Sequence, residues 1–219
     1  MLKLQLLDIW KKYGGKWVLK GIDFEVSESE VICIYGENGV GKTTLLKIIA
    51  GLVTPTKGKI LFNGESSRKY RNRFQGVLLH ENILYEELSV EENIRYYSIL
   101  YRGDGLELVD RLVEALGLKK YWGSRVGTLS YGWRKRANIV KAFLNNPRLL
   151  LLDEPFTGLD MVAYKNFLRI LADVYLDRIT IFTISNLENL YQVYRDLEID
   201  FTIRELRDGK LHEFRFQHY

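Results

Sequence analysis

The chain has 219 residues, 47% hydrophobic and 27% charged, with a formal net charge of +4, three prolines and one cysteine, the composition of a soluble globular protein with a substantial core. No uninterrupted apolar run is long enough to span a bilayer, Met1–Gln5 has no signal-peptide core, and a lone cysteine closes no internal disulfide. The charge is too mild to imply nucleic acid, so none is expected as a partner, and the cytosol is the expected compartment.

From the N-terminus, Leu2–Ile9, Trp17–Leu19 and Ile22–Val26 alternate as strands, broken at Gly14-Gly15 and at Gly21. Val31–Tyr35 is an apolar run suited to a buried parallel strand, with Cys33 inside it as a small core hydrophobe rather than a redox thiol. The next residues are Gly36, Glu37, Asn38, Gly39, Val40, Gly41, Lys42, Thr43 and Thr44. Their spacing (Gly, four residues, Gly-Lys-Thr) describes a loop whose backbone N–H groups surround a polyphosphate. Glycines let the main chain approach phosphate oxygens without Cβ interference. The loop opens into a helix expected over Thr44–Leu52, whose N-terminus favours an anion. Lys42 then reaches the β- and γ-phosphates of a nucleoside triphosphate, and the Thr43 hydroxyl completes a Mg²⁺ shell. An ordinary Gly-rich turn is the alternative, and the flanking strand and helix disfavour it.

Ile60–Phe62 before Asn63-Gly64 reads as a further strand. The sharpest basic cluster, Arg68-Lys69-Tyr70-Arg71-Asn72-Arg73, reads first as a solvated loop face, second as a contact for anionic lipid or a partner protein, and last as an RNA contact. The middle is helical. Ser89-Val90-Glu91-Glu92 is a capping box, followed by Val90, Ile94 and Tyr97 at helical spacing. Leu106–Leu116 forms a second helix stopped at Gly117, and a third over Lys135–Leu144 ends before Pro147. Leu149–Leu152 is a buried-strand run that ends in Asp153-Glu154. Ligands of parallel sheets gather at such strand ends. Asp153 would hold Mg²⁺, and Glu154 would orient and deprotonate the water that attacks the γ-phosphate. A helix cap or a surface acidic pair is the alternative; four leucines in front make burial the stronger expectation, and a buried carboxylate needs a partner. Met161–Val174 is an amphipathic helix, Ile179–Ile184 a strand, and Asp208-Gly209 the turn of a hairpin. The order predicts an α/β domain over residues 1–219: a parallel core, an antiparallel sheet beside it, and an inserted helical lobe at about 86–147.

Asp153-Glu-Pro-Phe-Thr-Gly-Leu-Asp160 resembles the Walker B and D-loop run of ATP-binding cassette (ABC) ATPases. Leu129-Ser130-Tyr131-Gly132 stands where that family keeps its signature motif, and Arg136, Ala142 and Pro147 continue the pattern. Tyr13 matches the family's adenine-stacking aromatic, and Leu88–Asn93 the start of its helical subdomain. The resemblance runs from about Leu2 to Asn189. It implies a P-loop NTPase with a RecA-like parallel core and an ATPase using ATP and Mg²⁺. It also implies a head-to-tail dimer with an identical or different cassette, in which Ser130 and the Gly132 amide meet the γ-phosphate held by the other chain and Asp160 lines the seam. Tyr13 would stack on adenine, or else pack on the small sheet. As no membrane segment is present, the resemblance places the transporter's membrane domain on a separate polypeptide, docked along His80–Glu92, with this subunit peripheral on the cytoplasmic face of the cell membrane. A soluble non-transport ABC ATPase and a degenerate subunit binding ATP for regulation are the competing readings.

Three positions depart from the pattern. His80 stands where the family has a Gln ligand to Mg²⁺, and imidazole suits that hard cation poorly; it would hydrogen-bond the attacking water or merely fill the loop, while the offset of nearby Gln75 is wrong for the role. Ser185-Asn186 stands where the switch histidine belongs, and a serine cannot carry positive charge to the γ-phosphate; Asn186 is a partial substitute. The signature reads Ser130-Tyr131-Gly132-Trp133 rather than Ser-Gly-Gly-Gln, which requires the Tyr131 side chain to point away from the nucleotide. Firm ATP binding with slow hydrolysis is the expectation.

Overall fold

The computed structural model describes residues 2–65, 74–81, 83–101 and 106–215; the basic run Arg68–Arg73 lies outside them, as does Asn82 within the expected docking stretch. Strands β1 (Lys3–Tyr13) and β2 (Lys16–Ser27) form a hairpin turned at Gly14-Gly15. Both are longer than their alternation suggested. Asp8, at φ 50°, inserts a bulge after Leu6, so the buried positions change from Leu4 and Leu6 to Ile9. Gly21 does not break β2 as expected. It adopts φ 68° within the strand, and the Trp10 indole occupies the space above it, 3.2 Å from where a Cβ would lie.

β3 (Val31–Tyr35) leads to helix α1 (Lys42–Ile49), and β4 (Lys57–Phe62) returns to pair with β1, giving an antiparallel sheet in the order β2-β1-β4. β5 (Gln75–Leu78) was not anticipated as a strand. Helices α2 (Val90–Tyr101), α3 (Leu106–Ala115) and α4 (Tyr131–Ala142) follow. The capping box at α2 forms, with Ser89 N–H donating to Glu92 Oε2 at 2.8 Å and Glu92 N–H to Ser89 Oγ at 3.1 Å. Helix α4 begins four residues before the expected start, directly after Ser130. β6 (Leu149–Leu152), α5 (Met161–Val174) and β7 (Ile179–Ile184) lie as expected, whereas α6 (Leu187–Asp196) was not foreseen. β8 (Thr202–Arg207) and β9 (Lys210–Glu213) make the terminal hairpin.

The main sheet has the order β5-β6-β7-β3-β8-β9, parallel except for β9. Both faces are covered, which explains why β3, β6 and β7 read as continuous apolar runs. Side-chain alternation splits them. Ile32, Ile34, Leu149, Leu151, Ile179 and Ile181 pack with α1 and the antiparallel sheet. Val31, Cys33, Leu150, Leu152, Phe182 and Ile184 pack with α4, α5 and their neighbours. The same parity carries into the site: Asp153 and Thr183 continue the rows that face α1, where Asp153 meets Thr43. At the far edge, a Cβ on Gly76 would lie 1.9 Å from the Ala142 carbonyl oxygen, so β5 and α4 touch through backbone.

Candidate functional site

The strand order sets the site. The loops after β3, β6 and β7 leave neighbouring strands at the same end of the sheet, and β7 lies between the other two. Gly36 N–H donates to Ile184 O at 3.2 Å, which ties the loop after β3 to the end of β7. The loop then needs glycine for two different reasons. Gly39 turns at φ 81° into open space, while Gly41, at φ 114°, presses so close to β2 that a Cβ would lie 2.8 Å from Val18 Cγ1. Lys42 starts α1 and is 5% exposed. Its ammonium donates to Gly36 O at 2.7 Å and Glu37 O at 3.0 Å, and lies 3.7 Å from Glu154 Oε1. Burial lowers its pKa, while the Glu154 and Asp153 carboxylates oppose that shift.

Asp153 is 2% exposed at the end of β6. One carboxylate oxygen accepts from Thr43 Oγ1 at 2.7 Å and the other from Thr183 Oγ1 at 2.8 Å. Its hydrogen-bond donors are thus neutral hydroxyls, and a buried carboxylate with such a shell suits an added cation. Thr43 and Asp153 offer hard oxygens, as Mg²⁺ requires. No cluster of three or more acidic, histidine or cysteine residues that could hold a metal occurs among the described residues. Two donors fit a cation that arrives with phosphate ligands of its own.

Glu154 has its peptide held on both sides. Its N–H donates to Thr183 Oγ1 at 2.9 Å, and its C=O accepts from the Lys135 ammonium at 2.5 Å. Between these contacts the backbone adopts φ 48°, a conformation costing a side-chain-bearing residue about 1–3 kcal/mol and found where neighbours over-determine it. Thr183 and Lys135 were not singled out in the sequence. Thr183 is a fully buried hydroxyl in an apolar strand, and that mismatch was the available signal. Lys135 is 6% exposed on α4, and burial brings its pKa down to about 8 against the pull of Glu154 and Asp153.

The other expected residues lie around this cluster. His80 is exposed, two residues past β5, with its ring 6.0 Å from that of Tyr131, while Glu81 pairs with Lys47 at 2.7 Å. Gln75 lies at the opposite end of β5 and donates to Ala50 O at 3.0 Å, which removes it from the Mg²⁺ position. Ser185 is half-buried one residue after β7. The Asn186 side-chain oxygen caps α6, accepting from Asn189 N–H at 2.7 Å. That is a helix-cap role for the oxygen of the expected partial switch substitute. Tyr13, at the hairpin end, is half exposed with the Lys11 ammonium 4.8 Å from its ring.

Ser130 is the exposed N-cap residue of α4, and its side chain makes no capping bond. A Cβ on Gly132 would lie 2.8 Å from Gly158 O, so the first turn of α4 rests directly on the loop after β6. The Tyr131 ring covers Gly158. Asp160 caps α5 through Ala163 N–H at 3.0 Å and pairs with Arg136 at 2.6 Å. These two contacts hold its carboxyl below the usual range.

The family model described as ABC transporter matches residues 19–157. The chain is 35% identical over 170 residues to the uncharacterized ABC transporter ATP-binding protein YdbJ of Bacillus subtilis, covering 76% of this chain and 54% of that one. It is 38% identical over 167 residues to the spermidine/putrescine import ATP-binding protein PotA of Spiroplasma citri, covering 74% and 48%. It thus spans about half the length of these curated relatives. Among solved structures, a dimeric ATP-binding cassette in a post-hydrolysis state with ADP and Pi superposes with a TM-score of 0.81 at 25% identity, covering 99% of this chain and all of the other.

Proposed function

Because the chain belongs to the ATP-binding cassette family of ABC transporters, we propose that it is the ATP-binding and ATP-hydrolysing subunit of a transporter whose membrane domain is a separate polypeptide. The observation that carries this reading is the convergence of Lys42, Thr43, Asp153 and Glu154 at one end of the sheet, with Thr183 bridging the two carboxylate residues.

Gly36–Thr44 would cradle the phosphates through backbone N–H groups, and Lys42 would exchange its Gly36 and Glu37 carbonyl partners for phosphate oxygens. Thr43 and Asp153 would hold Mg²⁺, which neutralises phosphate charge when bound. Glu154 would orient the attacking water and take its proton. Tyr13 would lie against adenine. Ser130 and the Gly132 amide would face the nucleotide of a second cassette, identical or different, and Asp160 would sit near that seam. On this reading residues 1–219 act as one cassette, with the helical lobe at about 86–147 and the His80–Glu92 stretch turned toward the membrane subunit. The chain would then sit peripherally on the cytoplasmic face of the membrane. No helix among the described residues is long and apolar enough to cross one. Co-purification from membranes is expected to bring down an integral membrane protein; recovery without one would favour a soluble ABC ATPase.

We place slow hydrolysis in the same proposal. Ser185 offers no positive charge to the γ-phosphate, and His80 supplies imidazole where an amide would suit Mg²⁺ better. The serine also keeps a second reading alive, a regulatory subunit that binds ATP with little turnover. In a steady-state ATPase assay, Ser185→His is expected to raise turnover about tenfold or more. Ordinary wild-type turnover that the substitution leaves unchanged would remove slow hydrolysis from the proposal. No turnover in either protein would favour the regulatory reading.

A further inference from the structure

Helix α4 reaches two places at once. Its N-cap Ser130 is exposed, and its first turn rests through Gly132 on Gly158 O, so it cannot shift without moving the loop after β6. One turn further, Lys135 crosses to the same loop and donates to Glu154 O at 2.5 Å. The ammonium is almost wholly buried, and among the described residues this carbonyl is its hydrogen-bond partner. The other side of the Glu154 peptide is fixed to β7 through Thr183. Glu154 thus keeps its left-handed backbone between two anchors, one in the sheet and one in the helical lobe. A lysine is a costly residue to bury, and a helix–loop contact alone would not need its charge.

We infer that Lys135 is a positioning residue for the proposed hydrolysis. It latches the backbone of Glu154 to the helix whose N-terminus would contact the other cassette's nucleotide. The inference rests on the proposed role of Glu154. The latch gives each chain a direct mechanical connection between the nucleotide it would touch in trans and the carboxylate it would use in cis. A movement of α4 by a fraction of an ångström changes the direction of the Glu154 side chain without altering the phosphate loop. Small misplacements of a reacting group cost rate far more than affinity.

The test compares Lys135→Met, Lys135→Gln and Lys135→Arg with the wild type in steady-state ATPase assays, calorimetric Mg-ATP titration and thermal melting. Lys135→Met is expected to lower kcat about 10–100-fold, with KM and the calorimetric Kd within about twofold. Its melting temperature is expected to hold or rise, since a buried charge has been replaced by an apolar chain of similar length. Lys135→Arg, which can still donate to the carbonyl, is expected to recover most of the turnover. Unchanged kcat in the Met variant, or equal losses in kcat and affinity, would overturn the latch. Should the Met variant melt early, Lys135→Gln, whose uncharged amide nitrogen stops one bond short of the lysine nitrogen and so falls short of the Glu154 carbonyl, carries the same expectation at a polar side chain. A wild type that binds Mg-ATP yet turns none over would remove the base role of Glu154, and the latch with it; turnover in the wild type with no loss in the neutral variants removes the latch alone.

Discussion

Lys42→Ala is expected to weaken Mg-ATP binding by about 10²–10⁴-fold, the loss of two charge-assisted hydrogen bonds worth about 1.5–3 kcal/mol each. The ammonium is buried beside two carboxylates, and its hydrogen-bond partners in the free chain are the Gly36 and Glu37 carbonyls. Those carbonyls hold it where a phosphate would arrive, so little side-chain entropy remains to be lost on binding. Alanine removes the cation and leaves Asp153 and Glu154 facing an incoming anion without it. Calorimetry should find a clear heat of association in the wild type and none in the variant at concentrations that saturate the wild type. Equal affinities would remove Lys42 from the site. The pH dependence has a definite sign. Burial lowers the Lys42 pKa from 10.5, so its charge is present below the lowered value and lost as pH rises through it. A bound triphosphate favours the charged form. Affinity should therefore fall as pH rises past the lowered value, and Lys42→Ala should lack that fall.

Local chemistry was legible in the sequence where one segment contains the whole motif. The strand Val31–Tyr35, the glycine loop and α1 are contiguous, and their turn residues and helix start depend on neighbours a few positions away. Asp153 and Glu154 were legible for a similar reason, since four leucines specify a strand buried on both faces and the acids mark its end. Thr183 was not legible. Its importance depends on β7 lying between β3 and β6, and nothing in Ile179–Ile184 states which strands flank it. Lys135 was hidden because a lysine on a helix normally faces water. Here α4 starts earlier than its apolar spacing suggests. Glycine is a weak helix former, yet Gly132 is required there because the Gly158 carbonyl occupies the space of a Cβ. Helix α6 was missed since it buries only Leu190 and Val193, too few for a visible stripe. β5 was missed because Gln75-Gly76-Val77-Leu78 has little strand character; pairing with β6 makes it one.

The second large effect separates binding from chemistry. Glu154→Gln is expected to lower turnover by about 10²–10⁴-fold, the usual contribution of a positioned general base. Glutamine preserves the shape of the side chain, and the backbone contacts to Thr183 and Lys135 do not involve the carboxylate. The phosphate loop, Thr43 and Asp153 are likewise untouched, so the Kd for Mg-ATP should change little. Removing the carboxylate 3.7 Å from Lys42 even leaves that ammonium freer to face phosphate. Where the second cassette is identical, binding without turnover should let an ATP-holding dimer persist, so size-exclusion chromatography in ATP should show a dimer in the variant where the wild type decays to monomer as ATP is consumed. The pair of substitutions discriminates between roles that proximity alone cannot. If Lys42→Ala abolishes binding while Glu154→Gln keeps binding and loses turnover, the two residues divide the work as anion anchor and base. If Glu154→Gln hydrolyses ATP at the wild-type rate, the base lies elsewhere, and the left-handed backbone at Glu154 needs another reason.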